Sequence, residues 1–222
     1  MKAMVLAAGR GERMRPLTDV TPKPLLEVGG QPLIAWHLRA LARRGVRDIV
    51  VNLSWLGDRI RERLGSGSAY GVSIEYSEEG PVPLETGGGI YQALPLLGPA
   101  PFLVVNADVW TDFDFRGLTL DATADARLLL ARNPPHHPRG DFGLDGDHVV
   151  ESSAERYTYC GIGIYRPELF TGCSAGRFAL LPLLKRAIAA RRLRGQVHQG
   201  EWLDIGSPER LAELDARLRR AP

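Results

Sequence analysis

Leu6-Ala7-Ala8-Gly9-Arg10-Gly11-Glu12-Arg13-Met14-Arg15-Pro16-Leu17-Thr18 is the stretch whose reading decides the fold. It ends the apolar run Lys2 to Ala7, which predicts a first strand closing in small residues, and it opens a glycine-rich turn. Backbone N–H groups of such a turn can wrap phosphate oxygens, and arginines add charge-assisted bonds. Two standard versions do not fit. No Lys-Ser/Thr pair ends the loop as in a P-loop, and Met14 stands where the third glycine of the dinucleotide fingerprint belongs. Taken alone, Gly9 and Gly11 also suit a plain strand-to-helix turn with solvated arginines.

Working outward, helical and strand patterns alternate. Leu33, Ile34, Leu38 and Leu41 repeat at helical spacing over Pro32 to Arg44, and Gly45 follows as a helix stop. Arg47 to Leu53 is a nearly continuous apolar run, the mark of a strand buried on both faces. Trp55 to Leu64 predicts a helix, Val72 to Ser77 a strand, Glu85 to Leu97 a helix and Pro101 to Val109 a fourth strand. This βαβαβαβ order implies a mostly parallel sheet with helices on both faces. Ligands of such sheets bind beyond the carboxyl ends of the strands. Ala8 to Arg15, Ser77 to Gly89 and Asn106 to Asp108 all fall there.

The second half predicts a strand over Ala126 to Arg132, a proline-rich loop over Asn133 to Asp141, and a hairpin turning at Asp145 and Gly146. A strand over Thr158 to Tyr165, an amphipathic helix over Arg177 to Arg192 and a short strand in Glu201 to Gly206 follow. Ser207 to Arg219 predicts a last helix, with Ser207 as N-cap and Pro208 in the first turn, and the basic tail ARLRRAP suits a helix C-terminus. No repeat, low-complexity tract or linker separates the halves. A single domain over residues 1–222 is expected, with the second half extending the first half's sheet.

The bulk numbers permit this. The chain has 222 residues, 44% hydrophobic and 24% charged, as in an ordinary globular protein with a core of its own. A formal net charge of +2 argues against a nucleic-acid coat or a membrane-surface role. The apolar run at the start is too short for a secretory signal, and no segment approaches the roughly 20 apolar residues of a membrane span. Cys160 and Cys173 fit no zinc or redox spacing and read as reduced thiols. A cytoplasmic location is expected.

Lys23 changes the weight of the opening loop. Pro22 and Pro24 flank it and stiffen the backbone, so it reads as positioned rather than solvated. Here LAAGRGERMRPLT, followed by PKPLLEVGGQPLI, resembles the signature of the sugar-1-phosphate nucleotidyltransferases, and the likeness runs through essentially the whole chain. The resemblance implies a three-layer α/β/α fold with a mostly parallel central mixed sheet, the Rossmann-like nucleotide-diphospho-sugar transferase fold. Residues 1–110 would form the nucleotide-binding half and 111–222 the sugar-binding half.

The resemblance also implies residue roles. Leu6, Ala7, Ala8, Gly9, Arg10 and Gly11 would meet the phosphates and the nucleoside edge, with Arg13 at the departing phosphates and Lys23 beside the α-phosphate as the catalytic pair. Arg15 shares a stretch expected to face the triphosphate. Glu85, Thr86, Gly88 and Asn106 would approach the base or ribose; for Thr86, a helix cap is the competing reading. Asp108 and Asp204 resemble the two metal ligands, for Mg²⁺, although Ala107 replaces the family's usual glycine before the first aspartate. Asp141, Glu151 and Gly161 fall where the family meets the sugar. His136 and His137 read as solvated or at the substrate rim.

PLETGGGI, NPPHHPRGDF and EWLDIGSPERL look most like the bacterial branch that acts on N-acetylmuramate 1-phosphate in cell-wall recycling. That branch implies UTP and a sugar 1-phosphate as partners, with no nucleic acid and no membrane, in a monomer or weak homo-oligomer. Other pairs of the same reaction remain open at this stage: mannose 1-phosphate with GTP, glucose 1-phosphate with dTTP or UTP, phosphocholine with CTP. A nucleotide-sugar sensor and a dinucleotide-dependent oxidoreductase are the readings outside that reaction.

Overall fold

The protein is described by a computed structural model over residues 1–220; residues 221 and 222 of the basic tail lie outside the described residues. The chain opens with β1 (Ala3–Leu6), a short helix α1 (Leu17–Val20) and a tight ribbon of β2 (Glu27–Val28) and β3 (Gln31–Pro32). Then come α2 (Leu33–Arg44), β4 (Asp48–Leu53), α3 (Gly57–Leu64), β5 (Ser73–Glu78), α4 (Glu85–Leu97) and β6 (Phe102–Asn106), the predicted alternation. The expected strand to Val109 divides, because the chain turns at Ala107 and Asp108 before β7 (Val109–Thr111). The remainder is β8 (Ala126–Ala131), the hairpin β9 (Phe142–Asp145) and β10 (His148–Val150), β11 (Arg156–Tyr165), α5 (Leu181–Ala189), β12 (Leu193–Val197), β13 (Trp202–Asp204) and α6 (Pro208–Arg220).

The first-half strands lie parallel in the order β5-β4-β1-β6, with Val5 in register with Val51 on one side and Val105 on the other. The same sheet continues through β11, β8, β12, β10 and β9 to nine strands, and β11 enters antiparallel to β6. Successive strand residues point to opposite faces, and the core divides accordingly. Val5, Val51 and Val105 pack with Leu38, Leu41 and Ile60 of α2 and α3. Met4, Val50 and Val104 pack with Ile90 and Ala93 of α4 and Leu184 of α5. This is the mixed-sheet, three-layer arrangement.

Two expectations need correction. The helix expected from Arg177 begins only at Leu181, because Phe178 is taken by α4: its N–H donates to the Leu84 carbonyl and its carbonyl accepts from Gly88 N–H. Pro182 sits in the first turn, where proline is tolerated and a helix starts readily. The second is β12, which was not foreseen. Its sequence LRGQV follows a basic stretch and has only Leu193 and Val197 as apolar side chains, yet it pairs parallel with β8 from Leu193↔Ala126 to Val197↔Leu130. Among the described residues, no helix is long and apolar enough to cross a membrane.

Candidate active site

A cleft of about 510 Å³ opens at the carboxyl ends of β1 and β6. Leu6, Ala7, Ala8, Gly9, Arg10, Gly11 and Arg13 line one wall; Glu85, Thr86, Asn106 and Asp108 line the other. The loop is held from behind. Thr18 Oγ1 donates to the Gly11 carbonyl at 2.8 Å, and a side chain at Gly11 would meet Lys23 Cβ at 3.2 Å. Met14, at the missing third glycine, is fully buried with Leu26, Leu33, Trp110 and Ile205. Its role is therefore structural, and the loop does not run into a helix packed for a dinucleotide.

The arginines separate into distinct positions. The Arg10 guanidinium lies 4.1 Å from the Trp55 ring centroid, a cation–π brace at the cleft wall. Arg13 lines both this cleft and the neighbouring acidic chamber. Arg15 lines neither and pairs with Asp19 at 3.2 Å, so it does not share the phosphate-facing position expected of it.

Lys23 is 7% exposed, in a turn that spans Lys23–Leu25, and its Nζ sits 2.5 Å from Asp108 Oδ2. Burying a charge is costly unless it is paired, and Asp108 is the partner. Asp108 reaches Asp204 through the two-stranded ribbon β7–β13, where Asp204 stands opposite Val109 and Ile205 N–H donates to the Asp108 carbonyl at 2.8 Å. Both carboxylates line one chamber of about 360 Å³ with Arg13, His136 and Gly161. Asp204 Oδ1 accepts from Arg210 at 2.5 Å and lies 2.9 Å from His136 Nε2. Ala107 is buried and its N–H donates to the Leu6 carbonyl, so the replaced glycine leaves the turn before Asp108 intact.

Beneath the ribbon, His37 of α2 is 2% exposed and its Nε2 is 2.7 Å from the Val109 carbonyl. Burial pushes its imidazole down to about 4, against a smaller upward pull from that carbonyl and from Asp108. The ring is neutral near pH 7 and donates its Nε2 proton to Val109.

The wall formed by α4 is tied to the loop by a buried relay that sequence reading missed. Ala7 N–H donates to Asn52 Oδ1 at 2.7 Å, Asn52 Nδ2 donates to Glu79 Oε1 at 2.6 Å, and Glu79 Oε2 accepts Leu84 N–H at 2.7 Å. The signal was faint: a polar Asn52 inside the apolar run of β4, and Glu79 just after β5. The relay also settles Thr86. The N-cap position is Leu84, which offers no side-chain cap, and the carboxylate of Glu79 serves its N–H instead. Glu85 stands at a left-handed φ of 62° and takes a 2.9 Å bond from Arg177 Nε.

The three glycines that follow serve close packing. A Cβ at Gly87 would lie 2.6 Å from the Phe178 ring, at Gly88 2.2 Å from the Gly176 carbonyl, and at Gly89 2.3 Å from Glu79 Oε1. Gly88 lines none of the cavities around the cleft, and its N–H is spent on Phe178. Thr86 and Glu85 face the cleft; Gly88 lies behind them.

A second cavity, about 730 Å³, opens from the first past Glu85, Thr86 and Asn106. Asp141 lines it, held by Tyr159 N–H on Oδ2 at 2.8 Å and His137 Nε2 near Oδ1 at 3.0 Å. Glu151 lines it too, paired with Lys185 at 2.7 Å. Gly161, at φ 71° beside an irregularity in β11, lines the acidic chamber, where a Cβ would sit 2.6 Å from Asn106 Nδ2. Asn106 borders all three spaces. The adjacent histidines diverge, His136 to Asp204 and His137 to Asp141. Arg156 and Lys185 are further lining residues that the sequence did not single out.

Residues 2–220 match the nucleotidyl transferase family. The chain is 54% identical over 225 residues to the N-acetylmuramate alpha-1-phosphate uridylyltransferase of Neisseria meningitidis serogroup B, with 97% of each chain covered. It is 38% identical to the protein of the same name from Caulobacter vibrioides, over 99% of this chain and 97% of that one. Among solved structures, HddC from Yersinia pseudotuberculosis complexed with GMP-PN superposes with a TM-score of 0.80 at 21% identity, covering 97% of this chain and 98% of that chain.

Proposed function

The chain belongs to the nucleotidyl transferase family, and on that premise we propose that it joins UTP to N-acetyl-α-muramate 1-phosphate, releasing UDP-N-acetylmuramate and pyrophosphate. The single observation that carries the reading is the placement of Asn106. It borders a cleft walled by the glycine-rich loop, an acidic chamber and a larger second cavity. A nucleotide on one side and a sugar phosphate on the other would meet there, beside Lys23 and Asp108. The uracil and muramate assignments are supported by the full-length likeness to the two uridylyltransferases.

In this reading an oxygen of the sugar phosphate attacks the α-phosphorus of UTP. The bond from that phosphorus to the bridging oxygen breaks, and pyrophosphate leaves with the electron pair. The nucleophile is already ionised, so no general base is needed, and the protein contributes position and charge. Lys23 offsets charge gathering on the α-phosphoryl oxygens. Arg13 and the loop N–H groups hold the departing pyrophosphate. Asp141 and Glu151 accept from groups of the sugar.

Asp108 and Asp204 suit a divalent cation. They are hard oxygen donors lining one chamber, and Mg²⁺ commonly takes one or two carboxylates and fills its shell with phosphate oxygens and water. Among the described residues no group of three or more His, Cys, Asp or Glu side chains is placed to hold a metal, so the reading gives the protein two ligands and the substrates and water the rest. Mg²⁺ bound there supplies positive charge that eases the approach of two anions. In the structure Lys23 pairs with Asp108, and Arg210 and His136 with Asp204.

We place the enzyme in the cytoplasm, acting as one domain, and as a monomer or weak homo-oligomer. A matrix of UTP, GTP, dTTP and CTP against N-acetylmuramate, N-acetylglucosamine, mannose and glucose 1-phosphates, read by pyrophosphate release, tests the substrate assignment. The UTP–muramate pair is expected to give the highest kcat/KM; a clear maximum elsewhere would replace it.

A further inference from the structure

One wall of the second cavity is a face of α5. Leu181, Leu184 and Lys185 lie three and four positions apart, so they share that face, and all line the cavity. Leu181 is 48% exposed, although a large apolar side chain on a helix otherwise full of buried leucines belongs inside. Lys185 pairs with Glu151 at 2.7 Å, with both side chains half-exposed, a pair that contributes little in water and opens readily. Nearby, Arg156 donates to the carbonyls of Arg139, Glu151 and Asp141, all neutral acceptors, which fixes a second positive charge at the same cavity.

An ordinary hexose phosphate uses this only in part, since a hydroxyl can accept from the ammonium but brings it no opposite charge. It carries no apolar arm for the shelf, and beyond the phosphate no charge for the ammonium. A sugar bearing a short ether arm with a methyl and a carboxylate uses both: the methyl covers Leu181, beside the buried Leu184, and the carboxylate takes the ammonium in a charge-assisted bond. We propose that Lys185, with Leu181 as its apolar shelf, is the subsite for an acidic ether substituent on the sugar 1-phosphate. Glu151, released from Lys185, then accepts from a hydroxyl or amide N–H of the ring. The inference rests on the muramate reading given above and deepens it, because it names the side chains that separate acidic from neutral N-acetylhexosamine phosphates.

The test is the ratio of kcat/KM for N-acetylmuramate 1-phosphate to that for N-acetylglucosamine 1-phosphate, which differ in the ether arm. It is measured with UTP for the wild type, Lys185→Met, Lys185→Arg and Leu181→Ser. Lys185→Met keeps most of the stem and loses the charge; the ratio is expected to fall about tenfold to a hundredfold, as for a lost hydrogen bond to a charged group. Lys185→Arg should keep the ratio within a few-fold, and Leu181→Ser should lower it by a smaller factor than Lys185→Met. An unchanged ratio in Lys185→Met overturns the subsite while leaving the substrate reading standing. A wild type that prefers the neutral sugar overturns both.

Discussion

Lys23 Nζ and Asp108 Oδ2 are 2.5 Å apart, and the lysine is almost wholly buried while the aspartate faces the cleft. The pair joins the proline-braced turn to the end of β6 and sets an ammonium where charge is expected to gather during phosphoryl transfer. Lys23→Ala should therefore lower kcat by about a hundredfold or more, as when an oxyanion donor is removed, with a smaller change in KM. Steady-state rates on a folded variant check this, and near-normal turnover would remove Lys23 from the chemistry.

The acidic chamber makes a separate prediction. Chelating divalent ions should abolish pyrophosphate release, and added Mg²⁺ should restore it. Asp204→Asn keeps the size of the side chain and an oxygen for Arg210, yet loses the charge, so it should raise the Mg²⁺ concentration needed for half-maximal rate by tenfold or more, about 1.4 kcal/mol. Full activity in excess chelator would dismiss the metal from the site.

His37 links stability to pH with a definite sign. Its folded value is pushed down to about 4 by burial, below the ordinary 6.5 of an unfolded chain. Between these values the unfolded chain binds the proton and the native one does not. The stabilisation is thus complete above pH 6.5 and is lost as pH falls toward 4, by roughly 3 kcal/mol over the window. Urea midpoints from pH 7 to pH 4 should fall, and His37→Gln, which keeps an N–H donor, should flatten that slope. Parallel curves for the two proteins would contradict the assignment.

Asn52 is the hinge of the buried relay. Asn52→Leu leaves the Ala7 N–H and the Glu79 carboxylate without their partner, so it should destabilise the protein by about 1–3 kcal/mol. Because the relay sits behind the cleft proposed for the nucleotide, KM for UTP should rise more than KM for the sugar phosphate. An equal rise in both would make the relay purely structural.

Much of this was legible in the sequence, for identifiable reasons. The parallel half reads well because Val50, Val51, Val104 and Val105 are buried on both faces and the helices between keep a clean period. The loop, Lys23, Asp108 and Asp204 were picked out because each sits in a contiguous motif resembling the family's, and they come together around one cleft and its adjoining chamber. What stayed hidden was set by contacts between distant segments. β12 exists because β8 offers an edge, and the late start of α5 follows from Phe178 bonding to Leu84 and Gly88. Asn52 and Glu79 carry no motif, and their pairing appears only once β4 and β5 lie side by side. Gly88 shows the opposite failure: a glycine run beside a site suggests room for a ligand, whereas here the room is filled by residues 176–178.

The ribbon that sets Ile205 against the Asp108 carbonyl has a consequence during synthesis. A nascent chain finishes its glycine-rich loop, Lys23 and Asp108 well before Asp204 leaves the ribosome. Through that interval it also lacks Ile205 and Leu214, which pack with Met14 beneath the loop, and before them Phe178, which bonds to Leu84 and Gly88 at the start of α4. Both walls of the cleft therefore wait on the last segments of the chain to dock, so a chain stopped short of β13 is expected to bind nucleotide poorly as well as to lack Asp204.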